Sequence, residues 1–255
     1  MTDGIFRSLK GKHVLVTGSS RGIGRAIAEG FAANGADVAI HCVRPCENAD
    51  KTMADIKKYG TNIVAVYGNL QDGSVPKRIY EETKEAFGTV DILICNASLQ
   101  IRKPWLQITD EDYELHMNIN LRSTLKLSQL AATDMMKAKW GRIITVGSVQ
   151  QVKPHPDMMV YSMSKMAMVN MVQSLALQLA EYNITVNNIA PGTIYTDRNR
   201  DVLKDRAYMD KVVNDIPVRF IGIPEDCTGL ALLLCSDSGR YITGEDIFVD
   251  GGKHI

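Results

Sequence analysis

The sequence has no excess of charge of either sign, and this narrows the range of possible partners. Its 29 basic and 29 acidic residues give a formal net charge of zero. A nucleic-acid-binding domain normally carries a basic patch, and a protein held at a membrane surface often carries a basic stretch. We therefore expect neither nucleic acid nor a membrane surface as a partner.

Cysteine motifs and long apolar runs are also lacking. None of the five cysteines lies in a C-x-x-C pair and the histidines are scattered, so we expect no metal site and reduced thiols. No apolar run approaches the roughly 18 residues of a membrane span. The polar stretch from Met1 to Lys12 has no apolar core of a signal peptide. These absences predict a soluble, cytoplasmic protein.

No linker, low-complexity segment or internal repeat divides the chain, so we expect one domain over residues 1–255. Short apolar segments alternate with helical patterns, the longest of which covers 110–138. The predicted strands are 13–17, 37–41, 62–67, 92–95, 142–146, 184–189 and 246–249. Strands that are apolar on both faces and separated by helices form parallel sheets covered on both sides. The pattern predicts an α/β, doubly wound, seven-stranded parallel sheet.

A glycine-rich turn, Thr-Gly-Ser-Ser-Arg-Gly-Ile-Gly over 17–24, joins the first predicted strand to the first helix. A dinucleotide-binding turn occupies this position. Gly18 permits a tight turn, Gly22 permits close approach to a pyrophosphate, and Gly24 permits packing of helix on strand. The N–H groups of the turn and the positive helix end would then meet the phosphates. The cofactor-binding residues predicted here are Gly18, Ser20, Arg21, Gly22, Ile23 and Gly24.

The end of the second predicted strand indicates which dinucleotide is bound. An NAD-preferring site has a carboxylate there to hold the ribose 2′-hydroxyl. This chain has His41, Cys42, Val43 and Arg44 instead, without an acid. Arg44, together with Arg21 in the glycine turn, could bind a 2′-phosphate through two N–H groups. We therefore predict NADP(H) rather than NAD(H).

Tyr161 and Lys165 lie one helical turn apart at the start of a predicted helix. A phenol ionises near pH ~10, and an ammonium about 4 Å away at an effective dielectric of about 20 favours the phenolate by roughly 4 kcal/mol before desolvation. That difference would bring a tyrosine pKa near 7, where acid–base catalysis is efficient. Such a spacing alone also arises by chance, but Ser148 lies upstream of the pair and adds a hydrogen-bond donor. The three residues predict a site for general acid–base catalysis.

With these motifs, the chain resembles the short-chain dehydrogenase/reductase family over its whole length. Asn69 and Leu70 lie where the family has an acid and an apolar residue beside the adenine. Cys95-Asn96-Ala97-Ser98 is similar to the family segment Asn-Asn-Ala-Gly, from which Cys95 and Ser98 depart. The resemblance implies a Rossmann fold, a homotetramer and a substrate loop around 193–215. The further cofactor residues that it implies are Asn69, Leu70, Asn96, Ala97, Tyr161, Lys165, Pro191, Gly192, Ile194 and Thr196.

The same resemblance implies a catalytic tetrad of Asn120, Ser148, Tyr161 and Lys165. Tyr161 would protonate a carbonyl oxygen or deprotonate an alcohol, while Ser148 stabilises the charge on that oxygen. Lys165 would lower the pKa of the tyrosine and hold the cofactor ribose. Asn120 would anchor a water through which the lysine exchanges protons.

The substrate is less closely specified by the sequence. Basic and amide-bearing residues near the motifs favour a small polar substrate, a sugar acid or polyol, as in gluconate 5-dehydrogenase-like members of the family. One alternative is a 3-oxoacyl-[acyl-carrier-protein] reductase, and another is a non-catalytic NADP(H)-sensing protein. The residues expected to line the substrate pocket are Gln100, Arg102, Lys103, Gln150, Gln151, Lys153, His155 and the loop 197–214.

Overall fold

Aliphatic residues build the centre of the protein, a parallel sheet of seven strands. The computed structural model describes residues 5–255, and within them the strand order is β3-β2-β1-β4-β5-β6-β7. The first four residues of the polar stretch Met1 to Lys12 lie outside the described residues. The strands are β1 (His13–Val16), β2 (Asp37–Cys42), β3 (Ile63–Tyr67), β4 (Ile92–Cys95), β5 (Gly141–Val146), β6 (Ile184–Pro191) and β7 (Asp246–Val249).

Helices cover both faces of this sheet. They are α1 (Gly22–Ala33), α2 (Glu47–Lys57), α3 (Val75–Phe87), α4 (Asp110–His116), α5 (Ser123–Ala138), α6 (Met159–Leu179), α7 (Asp197–Arg200), α8 (Arg206–Asn214) and α9 (Thr228–Cys235). In the part of the chain that the structure describes, no helix is both long enough and apolar enough to cross a membrane.

Successive strand residues point to opposite faces of the sheet, and each face has its own core. Val14 and Val16 of β1 belong to a buried cluster with α1 and α9, while Leu15 belongs to a second cluster with α3 and α5. Because both faces are buried, the strands carry aliphatic side chains at nearly every position. The predicted doubly wound, seven-stranded Rossmann-type sheet is confirmed.

The topology brings the predicted motifs to one edge of the sheet. The chain passes from β1 outward to β2 and β3, then returns to β4 on the other side of β1. At such a reversal the carboxyl ends of neighbouring strands leave a crevice in which ligands bind. The glycine turn follows β1, and the segment 95–98 begins at the last residue of β4. Ser148 follows β5 and the loop 193–215 follows β6, so all four segments lie at this edge.

The long helix predicted over 110–138 is interrupted. Between α4 and α5 the residues Met117–Arg122 form a wider, π-helical turn, called the π-turn below. The buried amide of Asn120 lies in this turn and is bonded to the backbone of Leu99. Wide turns of this kind are frequent at functional sites. Helix propensity alone does not reveal it, because the sequence on both sides is equally favourable to an α-helix.

Candidate active site

The glycine turn is held in a shape that side chains would not allow. A Cβ at Gly24 would lie 2.4 Å from Asn96 Nδ2 and 2.6 Å from the carbonyl oxygen of Gly18. Gly18 itself has a positive φ of 63°, and a Cβ there would lie 2.8 Å from Ala97 Cα. Helix α1 can therefore approach the ends of β1 and β4 only because these positions are glycine.

Two side chains tie the ends of β1 and β4 together beneath the turn. The hydroxyl oxygen of Thr17 accepts hydrogen bonds from the backbone N–H groups of Asn96 and Ala97, both at 3.0 Å. Asn96 Nδ2 in turn donates to the carbonyl oxygens of Thr17, at 2.9 Å, and Gly18, at 3.0 Å. The Asn96 side chain thus satisfies backbone groups that the tight turn leaves without partners.

His41 is a further support of the turn, and the sequence analysis did not assign it this role. Its Nδ1 accepts from the N–H of Gly18 at 3.2 Å, and its Nε2 donates to the carbonyl oxygen of Gly68 at 3.0 Å. This arrangement requires the neutral ring, and burial lowers the pKa of His41. The sequence feature that could have indicated this role is a polar residue inside the otherwise apolar strand β2.

A cavity of about 590 Å³ runs from the glycine turn to Tyr161. All predicted cofactor-binding residues line it except two: Gly24 packs beneath the turn, and Lys165 is only 1% exposed. Both Asn120 and Lys165 lie behind the cavity wall, whereas Ser148 and Tyr161 are part of it. The lining cofactor residues are Gly18, Ser20, Arg21, Gly22, Ile23, Arg44, Asn69, Leu70, Asn96, Ala97, Tyr161, Pro191, Gly192, Ile194 and Thr196.

The residues present fit a phosphorylated dinucleotide. The cavity has the volume of a cofactor site, and Gly22, where a Cβ would reach within 3.5 Å of the Thr196 side chain, leaves a narrow passage at the start of α1. Arg44 stands exposed on the wall after β2, and the residues from His41 to Arg44 include no acid. The donor set at this end therefore suits phosphate rather than a ribose hydroxyl.

Tyr161 lies at the other end of the cavity and is 5% exposed. Its hydroxyl lies beside the side chains of Ser148 and Arg198, both of which lower its pKa, although burial outweighs them and raises it overall. The structure therefore places the predicted proton donor in electrostatic contact with a hydroxyl and a cation. Proton transfer to or from a substrate oxygen needs such a group at hydrogen-bond reach.

Lys165 is turned towards β5. Its Nζ donates to the carbonyl oxygen of Val146 at 2.7 Å and lies 5.6 Å from the centre of the Tyr161 ring. Burial and, to a smaller extent, the charge of Arg198 together lower the pKa of Lys165 to about 7. We expected Lys165 to lower the pKa of Tyr161, but in the structure the cation that does so is Arg198.

Asn120 connects the π-turn to the loop after β4. Its Oδ1 accepts from the N–H of Leu99 at 2.7 Å, and its Nδ2 donates to the Leu99 carbonyl oxygen and to Ser164 Oγ, both at 3.0 Å. All polar atoms of this amide are therefore used in holding the loop against α6. The predicted water relay stays a prediction.

Ser148 is positioned by a chain of buried polar groups. Gln151 accepts from the N–H of Ser148 through Oε1, at 3.3 Å, and donates from Nε2 to Asp246 at 2.6 Å. Asp246 also accepts from Asn188 Nδ2 at 2.7 Å. Gln151 was expected in the substrate pocket, but it supports the serine from behind.

The prediction of which residues line the substrate pocket is wrong for most of its basic residues. Lys103 donates to Asp112 at 2.5 Å, and Lys153 donates to the carbonyl oxygen of Lys253 at 2.9 Å. Their charges are thus engaged by groups away from Tyr161. Of the residues expected to line the pocket, those on the cavity wall are Gln100, Asp197, Arg198 and Asn199; those outside it include Arg102, Lys103, Gln150, Gln151, Lys153 and His155.

Comparison with known proteins agrees with this arrangement. The family model described as Enoyl-(Acyl carrier protein) reductase matches residues 18–254. The chain is 34% identical to L-rhamnose 1-dehydrogenase (NAD(P)(+)) of Sphingomonas sp. (strain SKA58), covering 98% of this chain and 99% of that protein. It is also 34% identical to glucose 1-dehydrogenase 2 of Bacillus subtilis (strain 168), over 98% of each.

Similarity extends to solved structures. The crystal structure of a 3-oxoacyl (acyl-carrier-protein) reductase from Agrobacterium tumefaciens C58 with NADP bound has a TM-score of 0.92 to this chain and 38% sequence identity. The match covers 97% of this chain and 96% of that chain. The two chains therefore share their fold over nearly their whole length.

Proposed function

Because the chain belongs to the short-chain dehydrogenase/reductase family of oxidoreductases acting on CH–OH groups, we propose that it is an NADP(H)-dependent enzyme that interconverts a secondary alcohol and a ketone. The observation that carries this proposal is the meeting of Tyr161, Ser148 and Arg198 at one end of a cavity that begins at the glycine turn. This arrangement supports the assignment of Ser148 and Tyr161 to the reacting oxygen.

The residues act on the reacting oxygen. Tyr161 holds the proton that is given to a carbonyl oxygen, or takes it from an alcohol, and Ser148 donates a hydrogen bond to the same oxygen. Lys165 lies behind the ring and holds a proton in reserve, since its pKa of about 7 lets it exchange at neutral pH. NADP(H), when bound, supplies the hydride acceptor or donor.

The preference for NADP(H) over NAD(H) is supported by the arginines around the turn. Arg44 is exposed on the cavity wall, and Arg21 lies 3.9 Å from Asp197 across the cavity. Bound NADP in a similar structure is consistent with this choice. A guanidinium matches the geometry of a phosphate, whereas a ribose 2′-hydroxyl would call for a carboxylate.

For the substrate we favour a sugar acid or polyol. The reaction end of the cavity is lined by polar groups that suit several hydroxyls, namely Ser98, Gln100, Ser148, Arg198 and Asn199. Relatives named as L-rhamnose and glucose dehydrogenases support a carbohydrate-like substrate.

The second candidate is reduction of a 3-oxoacyl thioester, which the likeness to the Agrobacterium reductase favours. A non-catalytic NADP(H)-sensing role is disfavoured, since a sensor has no need of Tyr161 beside Ser148. A spectrophotometric screen of NADPH oxidation against keto sugar acids, keto sugars and acetoacetyl thioesters separates the two enzymatic candidates. Turnover of thioesters without turnover of the sugar compounds would reverse our preference.

Replacement of the tyrosine tests the catalytic assignment. We expect Tyr161→Phe to lower kcat about a thousandfold, because the proton donor is lost, while NADPH binding and thermal unfolding stay near wild type. Tyr59→Phe, at an exposed position far from the cavity, is the matched control. A folded, NADPH-binding Tyr161→Phe protein with wild-type turnover would refute the mechanism.

We also propose that the protein is a cytoplasmic homotetramer. Large apolar side chains are exposed on α5, on α6 and before β7. Leu177 in α6 is 87% exposed, and Tyr241 before β7 is 99% exposed. Exposed apolar side chains in such positions are typical of subunit interfaces. Sedimentation equilibrium should give four times the monomer mass, and a monomer would refute the assembly.

A further inference from the structure

Arg198 is the charged donor that the cavity presents at its reaction end. Within residues 5–255 it forms no ion pair with a carboxylate: its neighbour Asp197 pairs instead with Arg21, at 3.9 Å, and with Arg200. Lys165, the other cation nearby, is buried and directed at Val146. Apart from Asp197, the side chains near Arg198 on the wall, such as Ser98, Gln100 and Asn199, are uncharged.

The backbone after β4 holds the guanidinium in place. Arg198 Nη2 donates to the carbonyl oxygen of Ser98 at 2.9 Å and lies 3.4 Å from its hydroxyl. A guanidinium has five N–H donors in a planar fork, so this contact leaves several for a ligand. The group is therefore both oriented and available, which is the condition for recognising a carboxylate through two parallel hydrogen bonds.

The position of Arg198 limits where on the substrate such a carboxylate can be. The reacting oxygen must lie about 2.7 Å from the Tyr161 hydroxyl, and the guanidinium lies beside that same hydroxyl. A carboxylate oxygen bound to the guanidinium lies about 2.8 Å from its nitrogen. A carboxylate carbon bonded directly to the reacting carbon, or separated from it by one carbon, meets both conditions.

We propose that Arg198 is the specificity-determining residue that binds a substrate carboxylate one or two carbons from the reacting carbon. The substrate class is then 2-oxo or 3-oxo acids and their hydroxy acids, which includes sugar acids that react at the second or third carbon. This inference rests on the proposed function. It also separates the two substrate candidates, because a thioester has no charge at the position where a free acid has one.

Pairs of acids and their methyl esters test the inference. The probes are 2-oxobutanoate, acetoacetate and 2-keto-D-gluconate, each with its ester, reduced with NADPH by wild type, Arg198→Met, Arg198→Lys and Arg200→Met. We expect the wild-type protein to prefer acids, and the acid-to-ester ratio of kcat/KM to fall about 30-fold in Arg198→Met. Arg198→Lys should retain part of the preference, since a lysine keeps the charge without the fork. Arg200→Met, on the same exposed turn but paired with Asp197, should keep the wild-type ratio.

Calorimetric titration of the same acids into the enzyme–NADP⁺ complex gives a second readout that needs no turnover. Acid binding should weaken about 30-fold in Arg198→Met and stay unchanged in Arg200→Met. Acid binding that depends on Arg198 without any turnover would refute the proposed function but support this inference. Turnover with equal acid-to-ester ratios in wild type and Arg198→Met would overturn the inference and leave the function standing. A wild type that neither binds nor reduces any acid overturns it as well.

Discussion

The two ends of the cavity are built in opposite ways. At the glycine-turn end (the turn 17–24 with His41, Asn96 and Ala97), buried side chains bond to backbone groups and glycines leave no space for alternatives. At the loop end (residues 193–215), the structure relies on exposed charges, with the side chains of Asp197 35% and Arg200 56% exposed. Exposed ion pairs contribute little to stability.

This difference between the two ends matches two different tasks, cofactor binding and substrate binding. A cofactor common to many enzymes can be held by a fixed arrangement, and any change there disturbs the fold. A substrate differs between relatives, and its contacts can vary only where substitution costs little stability. Arg198 lies at the loop end and its guanidinium lies beside the Tyr161 hydroxyl, so a substitution at Arg198 can alter this end of the cavity without disturbing the turn.

The largest expected effect comes from adding one methyl group to the turn. In Gly24→Ala the new Cβ would lie 2.4 Å from Asn96 Nδ2, so we expect a loss of about 3 kcal/mol in unfolding free energy and much weaker NADPH binding. Gly229→Ala is the matched control, because no atom lies within 4 Å of its added Cβ, and it should be neutral or slightly stabilising. Urea unfolding measures both, and equal stabilities would contradict the tight packing described above.

Asparagine-to-alanine variants compare the two ends directly. Asn96→Ala leaves two carbonyl oxygens without their donor and should cost about 2 kcal/mol. Asn199→Ala, at the loop end, removes one bond of 2.9 Å to the carbonyl oxygen of Ile194 and should cost about 0.5 kcal/mol. A larger loss in Asn199→Ala would mean that the loop end is the more constrained one.

Cofactor choice gives a smaller effect. Arg44→Ala should weaken NADPH binding about tenfold, since one charged contact to the 2′-phosphate is lost, and should leave NADH binding nearly unchanged. Fluorescence titration with both cofactors measures this, with NADH as the internal control. A wild-type dissociation constant for NADH equal to or below that for NADPH would refute the preference.

The smallest effect is a pH dependence of stability from His41. Burial holds the folded-state pKa of His41 below the value of about 6.5 in the unfolded chain, so the folded state binds fewer protons. Its contribution is complete above pH ~6.5 and is lost as the pH falls through the folded-state pKa. Between pH 7 and 6 we expect a loss of less than about 1 kcal/mol, measured by urea unfolding. The same slope in His41→Gln would assign it to other groups.

The glycine-turn end could be predicted from the sequence, because its structure depends on residues that are adjacent in the chain. The order strand, glycine turn, helix requires only neighbours in the chain, and apolar strands on both faces specify a parallel sheet. The convergence of Ser148 and Tyr161 also follows, since both succeed β5 at the same sheet edge. The fold is thus derived from patterns of burial and turn chemistry.

The loop end could not be predicted in this way. Lys103 and Lys153 were expected in the pocket from their closeness to motifs, but Lys103 pairs with Asp112, nine residues along the chain, and Lys153 bonds to the carbonyl oxygen of Lys253. Arg198 was included only as part of the loop 197–214, because nothing in the sequence shows which of its charged residues would lie beside Tyr161. Long, flexible side chains take partners that depend on tertiary structure.

The π-turn between α4 and α5 has a consequence for the direction in which the Asn120 side chain points. Each residue of an α-helix advances about 100° around the axis, so one extra residue rotates everything after it by that angle relative to everything before. Deleting a single residue between 117 and 122 would restore an unbroken series of α-helical hydrogen bonds. The deletion would also either rotate the amide of Asn120 away from Leu99 or displace the whole of α5. The π-turn therefore allows the helical residues before and after it to point in different directions. One set points towards the loop that contains Leu99, and the other points towards the core.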